Sequence, residues 1–140
     1  MRSLFVIALC TALLLQAGIS YPQQSDEICC TWINTKYETN ERPQKVIFNY
    51  DGTFATYPSK DSTDPTAKGV FQIDAKWKDP KGGIWYKLKM MDMYGANYTL
   101  LRITKGGDSL EFVGKPHGYP ETISREASSY RSYSRTLPTK

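Results

Sequence analysis

The stretch that decides the fold covers residues 68–114, KGVFQIDAKWKDPKGGIWYKLKMMDMYGANYTLLRITKGGDSLEFVG. Its apolar residues recur at every second position, as Leu88 and Met90 do in one run. A period of two is typical of a strand with one buried face. Proline fixes φ and glycine permits the positive φ of a tight turn, so these residues separate the runs. The stretch therefore predicts four consecutive antiparallel strands, with turns at Asp79-Pro80-Lys81-Gly82-Gly83, at Gly95 and at Lys105-Gly106-Gly107-Asp108.

The first of these runs, residues 71–77, has apolar side chains at Phe71, Ile73, Ala75 and Trp77. Because successive side chains of a strand point to opposite faces, we expect these four on one face.

Further strands flank this stretch on both sides. Asp51-Gly52, between two aromatic and β-branched runs, is the strongest short-range signal for a hairpin. Eight strands are predicted, near residues 31–37, 45–50, 53–57, 69–78, 84–91, 97–104, 109–113 and 130–135, with a loop or one helical turn at 121–128. Eight antiparallel strands favour an all-β, up-and-down barrel, which leaves no exposed sheet edge. A two-sheet β-sandwich built from the same strands is the alternative.

Residues 1–20 differ in character from the rest of the chain. Arg2 precedes an apolar run at residues 4–15, and small residues follow at Ala17, Gly18 and Ser20. This layout predicts a secretory signal peptide, cleaved after Ala17 or Ser20. The apolar run is shorter than the ~20 residues of a membrane-spanning helix, although a membrane anchor is the alternative. No stable membrane span is then expected after cleavage.

The signal peptide predicts a secreted or periplasmic protein with one small domain. We expect an N-terminal linker at residues 21–29, a barrel domain at 30–136 and a disordered tail at 137–140.

The mature chain would keep two adjacent cysteines, Cys29 and Cys30. Neighbours on an extended strand point to opposite faces, so the two are poorly placed to bond each other. Two thiols alone do not make a metal site, and no cofactor is expected. Lipid anchoring to the envelope, the alternative, is weakly supported because Cys29 follows Ser25-Asp26-Glu27-Ile28 rather than a run of small apolar residues. We expect one buried cysteine and one that is free or bonded to another molecule.

Six segments together resemble small lipocalin-like exported proteins, mainly bacterial and often lipoproteins: TWIN (31–34), YDGTF (50–54), IWYK (84–87), YTLLRI (98–103), LEFV (110–113) and YRSYSR (130–135). The resemblance covers residues 30–135 and implies a lipocalin-like barrel. In that family the first strand begins with Gly-x-Trp, and a cation near the last strand packs over the Trp. The resemblance thus implies that Trp32 and Arg135 (or Arg131) close the barrel through a cation–π contact. Cys30 occupies the glycine position, which departs from the pattern.

An eight-stranded barrel is either filled by side chains or able to hold one small ligand. The first function hypothesis is therefore a small hydrophobic ligand inside the barrel. The strand at residues 98–104 has two candidate inner faces, Leu101 with Ile103, or Tyr98 with Leu100 and Arg102. If the second face points inward, Arg102 becomes a partner for a ligand carboxylate. The candidate ligand-binding residues are Phe48, Phe54, Phe71, Ile73, Tyr86, Leu88, Met90, Arg102 and Phe112.

The second hypothesis is a secreted structural or interaction module with a filled barrel and no ligand. Its contact surface would use Tyr119, Tyr130 and Tyr133, since tyrosine is common at interfaces; the sequence does not identify the protein partner. The formal net charge of +4 is too small to indicate nucleic acid.

Neither an enzyme nor a glycoprotein is indicated. The single histidine, His117, lies in a Pro/Gly-rich segment without a recognisable nucleophile or acid partner, so no catalytic residues are predicted. Asn97-Tyr98-Thr99 matches the N-glycosylation acceptor pattern. Its position at the start of a strand favours a chance match.

Overall fold

The computed structural model describes residues 27–34 and 43–136. These residues form a closed antiparallel barrel in which each strand pairs with the next and the last pairs back to the first. The eight-stranded up-and-down barrel predicted from the sequence is confirmed, in preference to the sandwich. The strands are β1 (Thr31–Ile33), β2 (Lys45–Phe48), β3 (Thr53–Tyr57), β4 (Ala67–Lys78), β5 (Ile84–Asp92), β6 (Gly95–Ile103), β7 (Ser109–Lys115) and β8 (Arg131–Arg135).

Several sequence predictions fall outside this range. The signal peptide, most of the linker, the C-terminal tail and residues 35–37 of the first predicted strand lie outside the described residues. Within the described ranges, residues 121–128 form turns and bends rather than a helix. The same ranges include no helix of the length and apolarity that crossing a bilayer requires.

The inner faces of the strands meet in one apolar core. Phe48 and Phe54 are opposite each other in the β2–β3 ladder, and the Phe71 ring meets Phe48 edge-on at 5.1 Å. Tyr86 and Leu88, both fully buried on β5, continue the core toward one end of the barrel. Each large apolar side chain buried in this way contributes about 1.5–3 kcal/mol.

A β-bulge divides β4 into two halves with opposite alternation. Ile73 pairs with Leu88, but the next paired residue is Ala75, opposite Lys87. One extra residue inverts which side chains face inward. Trp77 therefore lies on the outer face, where its ring stacks on Trp85 at 5.9 Å. The expectation that residues 71–77 present a single apolar face is wrong from the bulge onward, that is for Ala75 and Trp77.

The chain that precedes β1 closes one end of the barrel. Ile28 is fully buried, and its carbonyl accepts a hydrogen bond of 3.0 Å from the Trp32 indole nitrogen. Cys29 is buried as well, although both residues fall in the segment expected to be a linker. Lys76 forms a largely exposed ion pair with Glu27 at 3.1 Å, which adds little because solvent screens it. We call this the closed end.

Replacing Ile28 tests whether the closed end is part of the core. Ile28→Ala should lower the free energy of unfolding by about 2–5 kcal/mol, because it leaves a cavity beside Trp32. The measurement is urea unfolding followed by tryptophan fluorescence. Ile47→Ala is the control, since Ile47 lies on the outer face of β2 and is only partly buried. Equal losses of unfolding free energy in the two variants would contradict the burial of Ile28 in the core.

Candidate ligand-binding site

A cavity of about 230 Å³ occupies the barrel at the end away from Trp32. Its walls are formed where β5 ends, β6 begins, β7 ends and β8 begins, and these positions share one end because neighbouring strands are antiparallel. We call this end the mouth. The lining residues are Pro43, Val46, Phe48, Phe54, Thr56, Ala67, Met90, Asp92, Asn97, Thr99, Phe112, Gly114, Ser129, Arg131 and Tyr133.

The cavity is apolar toward the core and polar toward the mouth. Phe48 and Phe54 are buried, and Met90 and Phe112 pack partly buried against the same core. Asp92 is one inward position beyond Met90 and ends β5, while Arg131 begins β8. Such an arrangement suits a molecule with one apolar and one polar end.

Hydrogen bonds hold several mouth groups in place. The Arg131 guanidinium donates through Nη1 to the carbonyls of Ser128 and Tyr130, at 2.9 and 2.7 Å. One Asp92 carboxylate oxygen accepts the Tyr94 backbone N–H at 2.8 Å. The Tyr133 hydroxyl donates to the Pro43 carbonyl at 3.1 Å. Polar groups fixed in this way lose less conformational entropy when a ligand binds.

The predicted ligand-binding residues divide into two groups. Four line the cavity: Phe48, Phe54, Met90 and Phe112. Four others, Phe71, Ile73, Tyr86 and Leu88, belong to the core or pack against it but do not line the cavity. Contact of any of them with a ligand stays a prediction.

Arg102 does not point into the barrel. On β6 the inward side chains are Thr99, Leu101 and Ile103, all buried, and Arg102 lies on the outer face. There it forms an ion pair with Glu111, and its guanidinium lies 5.3 Å from the centre of the Trp85 ring. Of the two candidate inner faces, the one with Leu101 and Ile103 is inward, so the candidate role of Arg102 as partner for a ligand carboxylate inside the barrel is wrong.

The middle of the outer face of β6 and β7 is buried because residues 116–130 fold across it. Leu100 and Val113 are nearly inaccessible on this face, although they point away from the barrel axis. Tyr119 donates a hydrogen bond to Asp74, and Tyr130 donates to Glu111 at 3.3 Å. Burial, helped by the carboxylate partner, raises the pKa of both tyrosines. We call residues 116–130 the cover segment.

The three tyrosines expected at an interaction surface have other places in the fold. Tyr130, the last residue of the cover segment, is buried. Tyr133 is buried inside the barrel, where its ring stacks on Phe112 at 5.7 Å. Tyr119 holds the cover segment to β4 and meets the Tyr98 ring edge-on. They do not form one exposed patch.

Sequence reasoning missed the polar residues of the cavity. Asp92 follows Met90 by two positions, Thr99 precedes Leu101 by two, and Arg131 precedes Tyr133 by two. The same period of two that located the core would have found them once the inward face of each strand was known. Asn97 and Thr99 also belong to the glycosylation pattern, and both line the cavity.

The two residues expected to close the barrel are partners in the ladder between β1 and β8, and a cation–π contact between them stays a prediction. Trp32 is directly opposite Arg135 where β1 meets β8, whereas Arg131 is at the mouth. The Arg135 guanidinium lies near the Cys30 thiol. Burial raises the pKa of Cys30, and the nearby arginine offsets part of that effect.

Two further searches add no candidate site. In the described parts of the chain, no group of three or more His, Cys, Asp or Glu side chains is placed to hold a metal ion. Comparison with protein-family models, with curated proteins and with solved structures gave no match.

The Arg102–Glu111 pair should stabilise the outer face. Arg102→Met should lower the free energy of unfolding by about 1–3 kcal/mol, because Glu111 is 7% exposed and would lose its charged partner. Urea unfolding measures the loss. The double variant Arg102→Met/Glu111→Gln should recover most of it, since no carboxylate remains buried there. A double variant as unstable as the single one would show that packing of Arg102 on Trp85, rather than the charge pair, is what matters.

Proposed function

We propose that this chain is an exported, lipocalin-like protein that binds one small hydrophobic ligand in the cavity of its barrel. The observation that carries the proposal is the unfilled space of about 230 Å³ beside Phe48, Phe54, Met90 and Phe112. Protein interiors are normally close-packed, so a cavity of this size is unusual unless something occupies it. Export rests on the signal-like character of residues 1–20.

The cavity volume limits the size of the ligand. It exceeds the roughly 150 Å³ of an apolar cavity that binds benzene. It is smaller than the roughly 300–1,000 Å³ of sites for drug-sized molecules. A single ring or a short alkyl chain fits these limits.

The polar groups of the mouth suggest which end of the ligand faces out. Arg131 supplies a cation there, on β8, and Asp92 an anion, on β5, where the Tyr94 N–H holds one of its carboxylate oxygens. Asn97 and Ser129 add uncharged hydrogen-bonding groups. A guanidinium forms paired hydrogen bonds with a carboxylate. We infer that the ligand is a small amphiphile whose apolar part contacts the phenylalanines and whose acidic group lies at the mouth.

The alternative is a structural or interaction module whose barrel is filled by its own side chains. That reading fits the closed end, where Trp32, Tyr86 and Ile28 leave no accessible surface. It does not account for the space at the mouth end. The ligand hypothesis is therefore preferred, and no catalytic activity is proposed.

Filling the cavity should abolish binding. Ala67 lines the cavity, so Ala67→Phe should weaken binding of a fluorescent apolar probe at least about tenfold by occupying its space. Ala55→Phe is the matched control, because Ala55 pairs with Lys68 on the outer face of β3 and β4. Fluorescence titration gives the affinities, and native mass spectrometry of protein purified from its source tests for a retained small molecule. Unchanged probe binding in Ala67→Phe would contradict the proposal.

Removing the mouth cation should discriminate between ligands. Arg131→Met should lower affinity for a medium-chain carboxylate about tenfold or more, because a charge-assisted hydrogen bond is lost. Affinity for the alcohol of the same chain length should change much less. Arg125→Met, on the exposed part of the cover segment, is the control. Calorimetric titration measures both ligands, and an equal loss for acid and alcohol would remove the assigned role of Arg131.

A further inference from the structure

The hairpin between β5 and β6 carries exposed apolar side chains beside the mouth of the cavity. Met93 and Tyr94 form its turn and are 82% and 79% exposed. Val70 and Met91 adjoin them as direct cross-strand partners on the outer face, and are 46% and 37% exposed. We call these four residues the tip patch. Contiguous apolar surface of this kind on a small protein usually marks an interaction site.

The turn itself does not require these side chains. Its geometry depends on Gly95, with φ of 124°, and on Asp92, whose carboxylate accepts the Tyr94 backbone N–H. Neither Met93 nor Tyr94 has a positive φ, so this turn accepts most residue types at both positions. The turns at the closed end carry polar residues and glycine instead, with sequences DPKGG at residues 79–83 and TKGGD at 104–108. Folding of the turn therefore does not account for two large apolar side chains at Met93 and Tyr94.

Lysines surround the tip patch. On the outer face, Lys68 precedes Val70 by two positions and Lys89 precedes Met91 by two. Lys115 is opposite Tyr98 on the neighbouring strands. Lys68 and Lys115 are exposed, and Lys89 is partly exposed.

The nearby carboxylates offset this group only in part. Asp74, which accepts hydrogen bonds from Gln72 and Tyr119, and Asp92, which points into the barrel, are two anions beside three lysines. On the β3 side, residues 58–66 carry two carboxylates, Asp61 and Asp64. They are balanced by Lys60 and by the Lys45 ammonium, which donates to the carbonyls of Lys60 and Ser62.

We propose that the tip patch docks on an anionic lipid bilayer, with Met93 and Tyr94 entering the interface and Lys68, Lys89 and Lys115 contacting lipid phosphates. Apolar side chains next to basic ones match the two components of such a surface. A second copy of the chain fits less well, because a two-fold contact through the tip patch would bring the lysines of both copies together. Docking does not depend on the cavity holding a ligand, but it would turn the mouth toward the bilayer.

Vesicle co-sedimentation of the full mature protein tests this proposal. The vesicles are phosphatidylcholine alone, or equal parts phosphatidylcholine and phosphatidylglycerol. Wild-type protein should bind the anionic vesicles more tightly, and added salt should weaken that binding. Met93→Ser/Tyr94→Ser should lower the partition coefficient at least about tenfold. Lys89→Gln and Lys115→Gln should each lower it about fivefold.

Two variants at the closed end serve as controls. Tyr50→Ser removes an exposed tyrosine, and Lys81→Gln removes a turn lysine, both far from the mouth; neither should change vesicle binding. Circular dichroism confirms that each variant is folded. The proposal is overturned if wild-type protein ignores both vesicles or if the tip variants bind as wild type does. It is also overturned if sedimentation equilibrium shows a dimer that Met93→Ser/Tyr94→Ser dissociates, since the tip patch would then contact a second copy.

Discussion

The pairing of β8 with β1 is the contact on which the rest of the structure depends. β1 has only three residues, and without β8 the sheet would have two open edges and an exposed core. Trp32 and Arg135 meet at this seam, and the Trp32 indole binds the carbonyl of Ile28, so the seam and the closed end form one unit. The closed end is fully packed, so the unfilled space of the barrel lies at the mouth, which is the candidate ligand site.

A second constraint is that the middle of β6 and β7 is buried on both faces. The inner face contacts the barrel core, and the cover segment lies over the outer face, where it buries Leu100 and Val113. This explains why Arg102 is directed outward yet has a partly buried ion pair with Glu111. The two arginines therefore have different surroundings. Arg102 contacts the outer face of the sheet, and Arg131 lines the cavity. The proposed ligand site and the proposed membrane contact share the mouth end, whereas the closed end serves stability.

The positions of the strands could be predicted from the sequence because their signals are local. Alternation of apolar residues and glycine-containing turns depend on neighbours within a few residues, and seven of the eight strands were predicted to within two residues of their observed bounds. The first strand was predicted at residues 31–37 and is observed at Thr31–Ile33. Four of the fifteen cavity-lining residues followed as well, since Phe48, Phe54, Met90 and Phe112 are apolar residues on inner faces. Polar cavity residues such as Asp92 and Thr99 did not, because a polar side chain gives no sign from its own neighbourhood that it faces inward.

By itself, then, the sequence determined a barrel of eight antiparallel strands and much of its core. Only the tertiary structure decided three further features. The bulge after Ile73 turned Trp77 outward, the cover segment buried Leu100 on the outer face of β6, and the unfilled space was left at the mouth. Each of these depends on segments far apart in the chain meeting in space. The sequence pattern of one strand does not indicate which side chains of other segments pack against it.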